Sequence, residues 1–87
     1  MTILAEASPE TIDALLREAR THLQNARLAE ALTSCGHVLT SDPDNIDALY
    51  TVAVTQRMQR QIPKALGTLD RLIAIDPSYG RAWQERG

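Results

Sequence analysis

Apolar residues recur along the chain at spacings of three and four, the period of a helix with one buried face, and they do so in successive stripes separated by short polar breaks. The first stripe is Ile12, Leu15, Leu16, Ala19 and Leu23. It follows Ser8-Pro9-Glu10, which reads as a helix start: a serine N-cap, a proline in the first turn where its missing N–H costs nothing, and an acid at the positive end of the dipole. A helix over about 9–24 is expected. Asn25-Ala26-Arg27 breaks the pattern, and Leu28, Ala31, Leu32, Cys35, Val38 and Leu39 give a second stripe ending near Thr40. So short a turn forces the two helices antiparallel. Ser41-Asp42-Pro43-Asp44-Asn45 is a cluster of turn and cap residues. A third helix then runs through Leu49, Val52 and Ala53 to about Gln59, and a fourth from Pro63 through Ala65, Leu66, Leu69, Leu72, Ile73 and Ile75. A fifth begins near Tyr79. Abundant Ala and Leu suit helix-on-helix packing, and strands are not needed anywhere.

The stripes repeat in phase. Pro9, Pro43 and Pro77 stand at equal intervals, Ile46-Asp47-Ala48-Leu49 repeats Ile12-Asp13-Ala14-Leu15 letter for letter at the same interval, and Ala65-Leu66 repeats Ala31-Leu32. A fixed period of about 34 residues marks a stacked helical hairpin. The predicted fold is therefore all-α: tandem antiparallel helix-turn-helix units stacked on one another, about two and a quarter units and five helices. Residues 1–8 are read as an arm or partial helix and 9–87 as one domain, with units at roughly 12–45 and 46–79 and a truncated one at 80–87.

These residues resemble the tetratricopeptide repeat, whose pattern is W-x-x-L-G-x-x-Y, then A-x-x-x-F, then proline. The matching positions are Leu49, Val52, Ala53, Gln56, Ala65, Leu69 and Pro77 in one unit, and Leu15, Glu18, Ala19, His22, Ala31, Cys35 and Pro43 in the other. Ala82-Trp83 and Gly87 fit the start of a third. The departures are Glu18 in place of an aliphatic residue, His22 and Gln56 in place of tyrosine, and Arg60 in place of the turn glycine. They predict a loosely packed first unit. The pentatricopeptide repeat has a similar period but reads single-stranded RNA, and the acidic balance and Asp-Pro closures fit it less well.

The resemblance implies that the units stack as a short right-handed superhelix, with a concave groove lined by the first helix of each unit. Its expected residues are Asp13, Leu16, Arg17, Arg20 and Gln24 from the first helix, Asp47, Tyr50, Thr51, Val54, Arg57 and Met58 from the third, and Arg81 and Gln84 from the fifth. Apolar side chains beside arginines suit a protein or peptide segment with acidic and apolar residues, since tyrosine and arginine dominate many interfaces and a guanidinium grips a carboxylate twice. Chaperone-binding members hold a C-terminal carboxylate with a Lys and two Asn. Leu16, Arg20 and Thr51 stand at those positions, so that clamp is not expected.

Charge and chemistry narrow the function further. The chain of 87 residues carries a net charge of −2 and an isoelectric point near 5.5, which gives no pull toward nucleic acid. No run approaches the ~20 apolar residues of a membrane span, and residues 1–6 lack the features of a secretory signal. Cys35 is the single cysteine, so no intrachain disulfide forms and a cytoplasmic location is expected. Cys35 and His37 point to different faces of a helix and make no metal pair. Asp42, Asp44 and Asp47 loosely resemble the start of a calcium loop, but its twelfth position, which must be a bidentate acid, is Ala53. No phosphate loop or catalytic triad spacing is present. The reading is a non-catalytic interaction scaffold without metal or cofactor.

A stack of this kind needs about three units and polar caps. The unfinished third unit, with Trp83 at its start, points either to a piece of a longer protein or to a homodimer through exposed stack ends. Residues 46–87 also resemble the N-terminal repeats that precede a sulfotransferase-type catalytic domain in some bacterial proteins. That resemblance implies a substrate-presenting or oligomerising appendage to a catalytic domain in the same parent chain.

Overall fold

The computed structural model describes residues 9–86. The expected N-cap Ser8 and the arm at 1–8 lie outside that range. Five α-helices follow one another: α1 Pro9–Gln24, α2 Leu28–Ser41, α3 Ile46–Met58, α4 Ile62–Ile75 and α5 Gly80–Arg86. There is no strand among the described residues. α1 packs on α2 and α3 on α4 as two hairpins, α2 packs on α3 and α4 on α5 to join them, and α1 also reaches α3. The resulting stack measures 44 × 27 × 17 Å.

The two hairpin turns are built alike. Ala26 and Arg60, one period apart, adopt φ values of 60° and 63°. The N–H of the next residue then reaches back: Arg27 donates to the His22 carbonyl at 2.8 Å, and Gln61 to that of Gln56 at 2.8 Å. This bond, five residues back, is the Schellman closure, which satisfies carbonyls that a helix end leaves orphaned. Glycine is the residue such a position tolerates best. Its absence at Arg60 alters the strain and leaves the geometry in place.

The joint between the units is capped by side chains. Asn45 accepts from the Ala48 N–H at 2.9 Å and donates to Asp42 Oδ2 at 3.1 Å, so the turn cluster is a true helix start. Arg71 of α4 donates to the Pro43 carbonyl at 2.7 Å. At the next turn Ser78 donates twice to Asp76 Oδ1, from its N–H and its hydroxyl. Trp83 Nε1 donates to the Pro77 carbonyl at 2.8 Å. The equally spaced prolines Pro43 and Pro77 thus present carbonyls that tie the turns to neighbouring helices.

Helix bounds follow the expected stripes closely. α2 runs to Ser41, one residue past Thr40, because the Asp42 N–H still bonds to the Val38 carbonyl at 2.8 Å. α4 starts at Ile62 and carries Pro63 in its first turn, where no intrahelical donor is required. α3 ends at Met58, one residue before Gln59, and α5 begins at Gly80, just after Tyr79.

The core has two parts. Leu16, Ala19, Cys35, Val38 and Ala48 form one, with Ile12, Leu15, Leu39 and Val52 packed against it. Leu49, Ala53, Leu69, Leu72 and Ala82 form the other, and Leu39 touches both. Alanines at Ala19, Ala31, Ala48 and Ala82, all fully buried, let helix backbones approach closely. Buried Thr55 donates to the Thr51 carbonyl at 2.7 Å, and Thr51 to that of Asp47 at 2.9 Å, so these hydroxyls bring no unpaired group into the interior.

The first unit is not loose. Leu16, Ala19, Cys35 and Val38 are as closed as the core residues of the second unit. Glu18 stands instead on an exposed outer face of α1 with Ala14, Arg17, Thr21 and His22. The counterparts of these five, one period on, are Val52, Ala48, Thr51, Thr55 and Gln56, of which Ala48, Thr51 and Thr55 are buried. A charged side chain at Glu18 therefore costs no core packing. It makes this face of α1 polar.

Candidate functional site

α1, α3 and α5 lie along one side of the stack and enclose a groove of about 410 Å³. Arg20, Leu23 and Gln24 line it from α1; Asp47, Tyr50, Thr51, Val54 and Arg57 from α3; Tyr79 from the preceding turn and Arg81 and Glu85 from α5. Among the described residues none of α2 or α4 contributes. This follows from hairpin stacking: the first helices face inward along the concave side while the second helices form the back.

Eight expected groove residues are brought together here: Arg20, Gln24, Asp47, Tyr50, Thr51, Val54, Arg57 and Arg81. Leu16 is not among them. It is 5% exposed and sits in the first core cluster beside Ala48, because α3 covers that turn of α1. Arg17 falls on the outer face of α1. Asp13, Met58 and Gln84 are exposed away from the groove lining. Leu23, Tyr79 and Glu85 line the groove without having been expected there. Leu23 continues the apolar stripe of α1 and reads as core. Tyr79 belongs to a turn, and Glu85 to a helix too short to show a period.

The groove floor is aromatic. Tyr50 and Tyr79 meet edge to face, with ring centroids 5.8 Å apart and an interplanar angle of 61°. The Arg81 guanidinium lies 5.9 Å from the Tyr50 centroid, a cation–π distance. Burial raises both phenol pKa values above the ordinary 10.0; for Tyr50 the Glu85 carboxylate adds to the shift, and for Tyr79 that of Asp47 does. Both rings therefore stay neutral hydrogen-bonding surfaces at physiological pH.

One ion pair crosses the site. Arg57 Nε donates to Glu85 Oε1 at 2.7 Å, joining α3 to α5. Arg20 and Arg81 have no carboxylate within salt-bridge distance among the described residues. Two other pairs, Arg86–Asp70 at 2.6 Å and Arg71–Asp44 at 3.8 Å, lie outside the groove and brace the helices.

The remaining chemically active side chain is spent in the core. Cys35 is fully buried, and burial pushes its thiol from 9.0 up to about 11, against a smaller opposing effect of Arg20. It is protonated at neutral pH, and a buried thiol of this kind is a poor nucleophile. No group of His, Cys, Asp or Glu among the described residues is arranged to hold a metal ion, and no described helix is long and apolar enough to cross a membrane.

The comparison with curated proteins and that with solved structures returned no match. The family model described as tetratricopeptide repeat matches residues 23–85. That match spans well over half of the chain, running from the last two residues of α1 through α2, α3 and α4 into α5. The chain therefore belongs to the tetratricopeptide repeat family, whose repeats typically serve as non-catalytic scaffolds for protein–protein interaction.

Proposed function

We propose that the groove of α1, α3 and α5 holds a segment of a partner protein bearing apolar and acidic side chains. The observation that carries this reading is the convergence, on one concave face, of Leu23, Val54 and the two tyrosine rings with Arg20, Arg57 and Arg81. Three cations face two carboxylates, Asp47 and Glu85, so the groove is net positive on a chain whose overall charge is −2. Local charge of that sign favours an acidic segment and disfavours a basic one. Selection from a displayed library of random dodecapeptides tests it. The wild type should enrich peptides that combine Asp or Glu with large apolar residues. The triple variant Arg20→Ala, Tyr50→Ala, Arg57→Ala should bind the selected peptides at least about 100-fold more weakly, the loss of one or two hot spots, with unchanged circular dichroism. Undiminished binding by the triple variant would remove the groove from the reading.

A second reading, self-association through the stack end, is favoured by Trp83. It is 52% exposed, whereas Leu49, one period earlier, is 2% exposed. Ile62, Leu66 and Ile75 of α4 are exposed as well, while the opposite end carries Arg17 and Glu18. Pairing of apolar end with apolar end makes a closed two-fold dimer, and burying the charged end does not. Light scattering across a dilution series should show a dimer that Trp83→Ala disrupts. A monomer at every concentration would exclude this reading.

A further inference from the structure

The three ion pairs found among the described residues divide by place. Arg86–Asp70 and Arg71–Asp44 hold α5 to α4 and α4 to the turn before α3, and both lie outside the groove. Of the three, Arg57–Glu85 links two groove-lining helices from inside it. Within that pair the carboxylate is the inner partner: the Glu85 side chain is 22% exposed and that of Arg57 50%. The Tyr50 hydroxyl feels Glu85, Arg81 and Arg57 together. One carboxylate therefore stands beside the aromatic floor within the field of two guanidinium groups.

The fold does not call for an acid there. The residues one and two periods earlier are Thr51, buried, and Arg17, exposed. The acids among the described groove-lining residues are Asp47 and Glu85, and Glu85 is the one that neutralises an arginine.

We propose that Glu85 is a built-in stand-in for a partner's carboxylate: it occupies the acid-binding place at Arg57, and an acid of a bound segment must displace it to reach that arginine. This rests on the groove reading above and gives that groove a selectivity device. Glu85 weakens acidic ligands twice, by holding Arg57 and by repelling a second carboxylate, and it leaves neutral ligands unaffected. A segment binds well only if its acid is better placed on Arg57 than Glu85, or if its other contacts offset the exchange.

The test uses an acidic dodecapeptide selected on the wild-type chain and its analogue with every Asp and Glu replaced by Asn and Gln. Fluorescence anisotropy at about 0.1 M salt should show the acidic peptide binding Glu85→Gln roughly five-fold more tightly than the wild type, the scale of an exposed ion pair plus the lost repulsion. The neutral analogue should bind both proteins equally. Glu85→Ala should give the same ranking. Equal affinity of the acidic peptide for wild type and variants overturns the stand-in role and leaves the groove reading standing. So does an equal gain for both peptides, which would mean only that α5 has loosened. Failure of the wild type to select any peptide overturns the groove reading, and the stand-in role with it.

Discussion

Replacing Leu72 with alanine is expected to lower the unfolding free energy by about 2–5 kcal/mol, the range for deleting most of a large side chain from a closed core. Leu72 ranks first by size among the fully buried side chains described, with no exposed surface, and it stands in the second core cluster with Leu49, Ala53, Leu69 and Ala82. These neighbours come from α3, α4 and α5, so the void would open where three helices meet and none can move in without leaving another. Domains of this size hold roughly 0.05–0.15 kcal/mol per residue, so the loss takes a large share of the total. Urea denaturation should show a clearly lower midpoint with an unchanged slope, and the melting temperature should fall by about 10 °C or more. Leu66→Ala, on the exposed side of the same helix, should cost well under half as much. Equal effects of the two would contradict this core.

Ala48→Leu should destabilise by about 1–3 kcal/mol or more through overpacking, whereas Ala14→Leu should change stability by less than about 0.5 kcal/mol, as surface substitutions usually do. The two alanines occupy the same place in the identical tetrapeptides Ile12-Asp13-Ala14-Leu15 and Ile46-Asp47-Ala48-Leu49. Ala48 has no exposed surface and lies against Leu16, Ala19, Cys35 and Val38 of the preceding unit. Ala14 lies on the outer face of α1, half-buried. Three added carbons at Ala48 must push α3 away from the first hairpin, and at Ala14 they extend into the shallow surface pocket beside Arg17, Glu18, Thr21 and His22. Parallel denaturation of the two variants reads the difference directly, and similar losses would mean that the first unit is covered in the same way as the second.

The helices were legible because their signals are local. Apolar spacing, Pro9 and Pro63 in first turns, and Asn45 before Ile46 act within a few residues, so α1 to α5 fall within a residue or so of their expected bounds. The groove was legible only where the period transfers burial as well as identity. Tyr50, Val54 and Arg57 on the central first helix satisfy that condition, with a first helix on either side. Leu16 does not: α3 covers it, whereas its counterpart Tyr50 is met by the shorter α5 and stays open to the groove. Arg17 fails for the opposite reason, since no described hairpin precedes α1. Leu23 and Glu85 escaped because an apolar residue on an amphipathic helix, or an acid in a helix as short as Gly80–Arg86, gives no sign of which neighbour it faces.

Short-range spacing and backbone preference, repeated once per period, suffice for the length of the repeat, its hairpin turns, its helix starts and the all-α class. Packing of the helices sets which of two identical alanines is core, makes Glu18 an outer-face residue and not a packing fault, and brings Glu85 across the groove to Arg57, 28 positions away. Burial and pairing depend on what the stack places beside each residue. A one-dimensional pattern repeats the residues of a unit but not the neighbours, and the neighbours differ at every level of the stack.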